Sequence, residues 1–440
     1  MKFTFSRLFF ILLAIGFVPL SLSWNFPILR TAVLVYDILL ILLALTDWLI
    51  SRKLPEDLTI SREFEKRFAI GDASSIKLHV QNLSPRKFYL QIKDEFPPEM
   101  KLDESREAEF ELDGQSTADF YYRLTPPKRG NYKFGKTAVR FKSKFGLIWC
   151  QTELNKEESV KVYPNIRRAR EMELKALGAK SYLAAQRKSV RRGEGREFES
   201  MRDYVRGDEL RHISWTTTAR RGKLTTRQYQ IERDQTIIIA IDAGRLMTGR
   251  IEDETKFDAA IHAALALMSA AARGGDNCGM VIFGRKIKKF LPPKRNTEHF
   301  DAVLEALHDL EPELIEPSYA RAFQFVSSNT KKRSLVVILT DLVDKDASKE
   351  LLSSLKLLRP RHLPLVVTIA DRDLNTAVSV VPKDLKEVFV QSASEEIIHQ
   401  RDSALRLVES QGGLALDVTA VTLAPKLLQT YMRVKERGLL

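Results

Sequence analysis

The pattern of hydrophobic and polar positions divides the chain into stretches of different period. Near the N terminus two segments are apolar on every face, LFFILLAIGFVPLSLSW from Leu8 to Trp24 and TAVLVYDILLILLALTDWLI from Thr31 to Ile50. Each approaches the roughly 20 residues that a helix needs to cross a bilayer. The link Asn25-Phe26-Pro27 is too short for a domain, so residues 1–53 are predicted to form a membrane anchor of two transmembrane helices, about 8–24 and 31–50. Lys2 and Arg7 precede the first segment, and Arg52, Lys53 and Arg62 follow the second. By the positive-inside rule both termini are cytoplasmic, with Arg30 in the link running against that reading. Ser21-Leu22-Ser23 also has the small-x-small form of a signal-peptide cleavage site; cleavage there would still leave a stop-transfer segment and a cytoplasmic remainder. Asp37 lies inside the second span, where it reads as a neutral acid bonding the neighbouring helix or reaching the interface, or as a functional group.

From 54 to 165 the period falls to two. Runs such as SIKLHV, KFYLQI, AEFEL, ADFYYRL and TAVRFK alternate between turn signals, among them Asp113-Gly114, Pro126-Pro127 and Arg129-Gly130-Asn131. Short alternating strands with turns about every ten residues predict an antiparallel β-sandwich, immunoglobulin-like in character. No cluster of His, Cys or paired carboxylates falls in it, which suits a spacer or recognition module.

From 235 to 440 apolar strands alternate with amphipathic helices: TIIIAI, then FDAAIHAALALMSAAA, CGMVIF, TEHFDAVLEALH, YARAFQFVSS, SLVVILT, ASKELLSSLKLL, LPLVVTIA, SEEIIHQRDSALRLVES, LALDV and APKLLQTYMRVKER. That order predicts a mostly parallel sheet covered on both faces. Binding in such sheets occurs beyond the carboxyl ends of the strands. Asp242 and Asp341 each close a predicted strand, so both are expected in one crevice.

Composition adds limits. With 44% hydrophobic and 29% charged residues the 440-residue chain is globular and long enough for two domains plus the anchor. Cys150 and Cys278 are its two cysteines, far apart, which excludes a disulfide framework and a Cys-type zinc site. Between 161 and 234 stand 19 Lys or Arg against 10 Asp or Glu, so nine of the net thirteen positive charges lie there. Residues 166–234 therefore read as a basic connector. Two readings of it compete: aromatics packed on the next domain, with pairs such as Glu197 with Arg202 or Asp208 with Arg211 locking the loop, or arginines held ready for an anionic partner. In the first, Trp215 is the anchor and is buried. Arg206-Gly207-Asp208 spells an integrin-binding tripeptide, which arises easily by chance.

The run GEGREFESMRDYVRGDELRHISWTTTARRGKL, followed by the strand ending in Asp242, resembles the signature of the domain of unknown function 58 (DUF58) family, with Glu197, Arg202, Tyr204, Gly207, Asp208, Arg211, Trp215 and Arg220 as the residues that carry it. The resemblance implies a bacterial or archaeal inner-membrane protein with a β-sandwich and a von Willebrand factor A-like, Rossmann-like α/β domain over 235–440, associated with MoxR-type AAA+ ATPases. Domains of that A type can hold Mg²⁺ through Asp-x-Ser-x-Ser, a distant Thr and a second Asp. Here the pattern reads Asp242-Ala243-Gly244-Arg245-Leu246, with Ser318 where the Thr belongs and Asp341 as the second Asp. Both serines are replaced and Arg245 stands beside the site as a competing cation, so no metal or other cofactor is expected.

Motifs for phosphate loops, zinc proteases, serine hydrolases and redox thiols are absent from the sequence, and its seven histidines lack ligand spacing, His262 reading as a packed core residue. The sequence thus predicts a membrane-anchored, non-enzymatic protein-binding adaptor or scaffold that works with a MoxR-type AAA+ ATPase and takes no small-molecule substrate. The alternatives are a polyanion module, for nucleic acid or anionic lipid, through Arg187 to Arg227, and a metal-dependent hydrolase using Asp242 and Asp341.

Overall fold

The structure, a computed structural model, describes residues 2–22, 28–51, 57–65, 67–154, 157–165, 167, 171, 197–205, 210, 213–230, 235–251, 254–295, 297–342, 348–359 and 361–440. They fall into two compact units, Met1–Tyr163 and Pro164–Leu440.

In the first unit two helices, Arg7–Leu22 and Ile28–Ser51, pack side by side. The second has 24 residues, about 36 Å at 1.5 Å per residue, and is long and apolar enough to cross a membrane. The first has 16, about 24 Å, short of the roughly 30 Å hydrocarbon core, so the expectation of two spanning helices is not carried by its described length. Pairing between the helices is close: the Tyr36 hydroxyl donates to the Leu12 carbonyl at 2.9 Å.

The predicted alternation is present beyond the helices. Ser74–Asn82 buries every second residue, and its antiparallel neighbours Leu58–Phe64 and Ser116–Thr125 complete a sheet of four with Lys101–Leu102. A five-stranded sheet contains Phe88–Asp94, Thr137–Lys142 and Ile148–Leu154, and a three-stranded one contains Gly130–Phe134 and Glu158–Tyr163. Inward residues of all three share one core, including Ile76, Leu78, Leu90, Ile92, Tyr122, Phe134 and Val160. Inside it Arg62 forms a two-pronged ion pair with Asp94, which also accepts from Tyr122 and Thr137.

Two features tie the helices to this β unit. Lys2–Phe5, ahead of the first helix, is the edge strand of the five-stranded sheet, antiparallel to Ile148–Leu154. Asp47, near the end of the second helix, is fully buried and accepts from the Ser143 hydroxyl, the Phe145 amide at 3.1 Å and the Leu147 amide at 3.3 Å. Asp37, the acid singled out by sequence, is half-buried, and its Oδ1 has no hydrogen-bond partner.

The second unit is built on a six-stranded sheet. Its strands in chain order are Thr236–Asp242, Asn277–Phe283, Ile287–Lys294, Ser334–Thr340, Leu363–Ala370 and Leu414–Thr419, and their spatial order is third, second, first, fourth, fifth, sixth. Only the third runs antiparallel. Sequence reasoning missed it because Pro292, Pro293 and three lysines interrupt the alternation; an edge strand tolerates both. The first strand is buried at every residue, as a parallel strand covered on two faces must be. Lys256–Arg273 starts with a capping box between Thr255 and Asp258 and lies almost wholly buried, His262 included. The helix before the sixth strand is longer than predicted at its start, Leu385–Ser410 rather than 394–410, and a short helix Arg372–Ser379 precedes it.

These contacts predict unequal roles for the two acids of the second helix. Asp47→Ala leaves a buried hydroxyl and two amides without an acceptor, at about 1 to 3 kcal/mol for an unsatisfied group. The full chain in detergent should lose at least about 2 kcal/mol of stability in its first unit, followed by the fluorescence of Trp48, whose ring packs against the β core. Asp37→Asn should change it by less than about 0.5 kcal/mol. Equal effects would remove Asp47 as the tie.

Candidate functional site

The sheet order reverses between the first and fourth strands, which places a crevice at their carboxyl ends. Asp242 ends the first strand and Asp341 follows the fourth, and both line one cleft with Leu246, Glu316, Pro317 and Tyr319. The expectation that these aspartates converge is met.

Asp242 is 1% exposed. Its Oδ1 accepts from the Gly244 amide at 2.7 Å, and its Oδ2 from the Thr340 hydroxyl at 2.6 Å and the Tyr319 hydroxyl at 3.0 Å. The two hydroxyl oxygens are themselves 2.9 Å apart. With Asp242 ionised, this triangle of oxygens has three edges and two protons. Burial pushes the Asp242 carboxyl up to about 6, against the lowering by its three donors, and the charge of Glu316 adds to the rise. Burial and the neighbouring Asp242 hold the Tyr319 phenol well above its usual value, so it stays a donor.

Asp341 has the opposite environment. Its Oδ2 accepts from Lys256 Nζ at 2.5 Å, its Oδ1 from the Arg401 guanidinium and from the Leu342 amide at 2.8 Å. Arg401 Nε lies 3.2 Å from Asp417 Oδ1, which takes the Thr368 hydroxyl at 2.5 Å. A row of charges, Lys256, Asp341, Arg401 and Asp417, thus crosses the ends of the fourth, fifth and sixth strands. Removing one member of such a buried pair strands the other at several kcal/mol, so these ions fix one another in place.

Ser318 does not join the aspartates; its hydroxyl donates to Glu350 Oε1 at 3.1 Å. Arg245 is not the competing cation, since it is exposed and pairs with Glu316 at 2.8 Å. Among the described residues, the cations that meet Asp341 are Lys256 and Arg401, neither of which carries a motif.

A divalent ion does not fit this donor set. A side chain at Gly244 would put its Cβ 2.7 Å from Pro317 Cδ and 3.0 Å from both Ile315 O and Asp242 Oδ1, so the fold has no room for the serine a metal site uses there. Leu246 offers no oxygen, and two internal cations already hold Asp341. Both oxygens of each aspartate accept from the chain's own donors.

In the signature segment, Glu197–Asp203 and Thr225–Gln230 pair as an antiparallel hairpin with a short helix, Trp215–Arg221, between them. Ile213, Ser214, Thr225 and Thr226 are buried, so part of this stretch is packed. Trp215 is not its anchor: it opens the helix and is 66% exposed. A large apolar residue reads as interior in sequence, but a helix of seven residues with no buried position has no core for it to fill. Arg220 is exposed, Tyr204 and Arg202 are half-buried, and the Tyr204 amide donates to the Leu224 carbonyl. Gly207, Asp208 and Arg211 lie outside the described residues, as does the side chain of Glu197, and with them the proposed locks.

The raised Asp242 predicts a pH signature. The folded chain holds this proton more tightly than the unfolded chain, so the carboxyl favours folding at low pH, and that contribution is lost as pH rises from about 4 through about 6. A shift of about 2 units corresponds to about 3 kcal/mol. Relative to the non-titrating Asp242→Asn, wild type should therefore lose up to about 3 kcal/mol between pH 4 and pH 7 in denaturant melts. A difference that does not vary with pH would contradict the assignment.

Comparison with known proteins places this segment in context. Aligned regions are 22% identical over 231 residues to the uncharacterized protein YeaD of Bacillus subtilis, covering 51% of this chain and 54% of that one. They are 23% identical over 219 residues to the uncharacterized protein Rv1480 of Mycobacterium tuberculosis, covering 49% and 66%. The chain thus matches about half to two thirds of the length of these relatives. Among solved structures, the conserved hypothetical protein BatB from Bacteroides thetaiotaomicron aligns over 46% of this chain and 98% of its own, at 14% identity and a TM-score of 0.30. The family model described as "Protein of unknown function DUF58" matches residues 200–398. From the signature hairpin into the helix Leu385–Ser410, the chain therefore carries a DUF58 domain.

Proposed function

We propose that the chain is a membrane-anchored protein-binding adaptor whose α/β unit, of von Willebrand factor A-like type, engages partners without catalysis and without a metal. The observation that carries this reading is the exposure of Trp215 at the centre of the signature, with exposed Leu210, Leu224, Arg220, Arg221 and Lys223 around it. Aromatic and arginine side chains left in water are the residues that most often dominate protein interfaces. The strand order and the two aspartates at its reversal support the A-type reading, and the internal cations on Asp341 support a site that does not act as an enzyme.

The anchor argues for one side of the membrane. If Ile28–Ser51 crosses a bilayer, the edge strand Lys2–Phe5 still pairs within the β unit that follows it, so the preceding helix has to bring the chain back across, or turn within the lipid. Both ends of the hairpin then share a face, and the flanking basic residues make that face cytoplasmic, at the inner membrane. A cytoplasmic location gives access to the partner that the DUF58 resemblance suggests, a MoxR-type AAA+ ATPase. The basic side chains near Trp215 favour a second reading, binding of a nucleic acid or anionic lipid, in which affinity falls steeply with salt.

The test is capture from detergent-solubilised membranes by the tagged full chain. Wild type should enrich an AAA+ ATPase, and Trp215→Ala should reduce that enrichment at least about tenfold. Stability should stay within about 0.5 kcal/mol, because the ring is in solvent. Undiminished capture by Trp215→Ala would refute the assigned surface. Enrichment of nucleic acid or anionic lipid in place of protein would replace the reading with the second one.

A further inference from the structure

The turn at 143–147, between the strands Thr137–Lys142 and Ile148–Leu154, is built unlike a turn that faces water. Surface turns leave part of their backbone to solvent. Here each amide from 143 to 148 has a partner within the chain. The Ser143 amide donates to the Ile148 carbonyl at 2.9 Å and the Gly146 amide to the Ser143 carbonyl at 3.0 Å. The Lys144 amide donates to the Ser51 hydroxyl at 3.0 Å, and the Ile148 amide to the Ser143 hydroxyl at 3.0 Å. Those of Phe145 and Leu147 go to Asp47. The Phe145 side chain, by contrast, stands 50% exposed beside exposed Lys144. Irregular backbone that meets lipid has to satisfy its amides internally, and a turn in water has no such need.

The same partners fix the depth of the turn along the helix Ile28–Ser51. Leu147 and Ile148 pack with Leu40 and Ala44, and Asp47 and Ser51 hold three of the amides. A hydrocarbon core about 30 Å thick takes roughly 20 residues of helix. Counted from Ile28 those residues end at Asp47; counted from Thr31, which leaves the charge of Arg30 outside, they end at Ile50. Asp47 and the turn it holds therefore lie at the hydrocarbon boundary, or about 4.5 Å inside it. Leu45, Leu49 and Ile50, level with the turn, are exposed apolar residues that lipid would cover. We infer that the turn at 143–147 inserts into the bilayer at the boundary of headgroups and acyl chains, with the Phe145 ring in lipid.

Its surroundings suit that depth. Lys142 Nζ stands 4.2 Å from the ring centre of Tyr89 and 5.5 Å from that of Trp149, and Trp and Tyr rings favour the headgroup level. Lys144 has a stem long enough to keep its ammonium at the phosphates while Phe145 is immersed. Net charge does not select the lipid, since Lys87 at the same end of the β unit is paired with Glu111 at 2.6 Å and Asp113 at 3.4 Å. Three attachments at one end, the edge strand Lys2–Phe5, the Asp47 tie and the inserted turn, then hold the β unit in one orientation to the bilayer. This rests on the proposed reading of Ile28–Ser51 as a membrane span and adds a second lipid contact to it.

The experiment uses the full chain in nanodiscs of phosphatidylethanolamine and phosphatidylglycerol. A nitroxide label is attached through Phe145→Cys, Leu42→Cys or Lys128→Cys, one at a time. Leu42 is exposed in the middle of the second helix, and Lys128 is exposed past the far end of the strand Ser116–Thr125. Cys150 and Cys278 are buried, and wild type treated alike sets the background. Spin resonance reads the collisions of each label with oxygen, which concentrates in lipid, and with a water-soluble nickel chelate. At 145 nickel collisions should be at least about fivefold rarer than at 128, because a polar complex enters lipid poorly. Oxygen collisions there should be more frequent than at 128, as at 42. Unchanged melts establish that the variants are folded; if Phe145→Cys is not, Lys144→Cys takes its place, with nickel collisions expected between those at 42 and 128. A smaller difference at 145, or a label at 144 as open to nickel as at 128, overturns the inference while a shielded position 42 leaves the span standing. If nickel reaches 42 as freely as 128, the span itself is refuted and the inserted turn with it.

Discussion

The ion pair of Asp341 with Lys256 and Arg401 is the constraint on which the α/β unit turns. A carboxylate at the end of a fully apolar strand, 3% exposed, costs several kcal/mol to desolvate unless cations meet it. Two do, and they come from different layers: Lys256 opens the helix that follows the first strand, and Arg401 sits within the helix before the sixth. Satisfying one acid therefore fixes the start of one helix and the rotation of another against the sheet. Arg401 extends the same requirement to Asp417 and, through it, to Thr368 on the fifth strand. The crevice is held by charge.

Asp242, on the neighbouring strand, shows what happens without such cations. Its donors are neutral, an amide and two hydroxyls, and burial outweighs them, so the carboxyl rises to about 6. Within one crevice, one acid is held by ions and the other by hydrogen bonds with a proton within reach. A dication would need both acids ionised and unclaimed. The arrangement answers the charge of each aspartate from inside the chain.

Much of the fold was legible in the sequence because burial writes itself as pattern. Period two marked the strands of the first unit, and continuous apolar runs such as Thr236–Asp242 and Ser334–Thr340 marked the parallel sheet. Convergence of Asp242 and Asp341 followed from topology, since both close strands on either side of one reversal. The partners of these acids were not legible. Lys256 and Arg401 are 85 and 60 positions from Asp341, and a charged residue on an amphipathic helix reads as solvated until the third dimension shows it buried. Asp47 was missed for a related reason: an acid near a helix end looks interfacial, and the loop Ser143–Leu147 that requires it lies about a hundred residues on. Thr340 and Tyr319 flank positions already singled out, so adjacency to Asp341 and Ser318 was the signal that could have found them.

Trp215 marks the limit of reasoning from residue type. Hydrophobicity predicts burial only where enough neighbouring surface exists to bury against, and the signature helix is too short to supply it. The same holds for Leu385 and Phe389, which stand on a long helix but at its first turns, beyond the sheet's edge of cover. In both places the chain keeps apolar side chains in water where polar ones would satisfy the local fold equally well. Such positions contribute little to the stability of the isolated chain, so folding alone gives no reason for them. An apolar surface that returns no internal packing adds to stability only where something beyond its own element covers it.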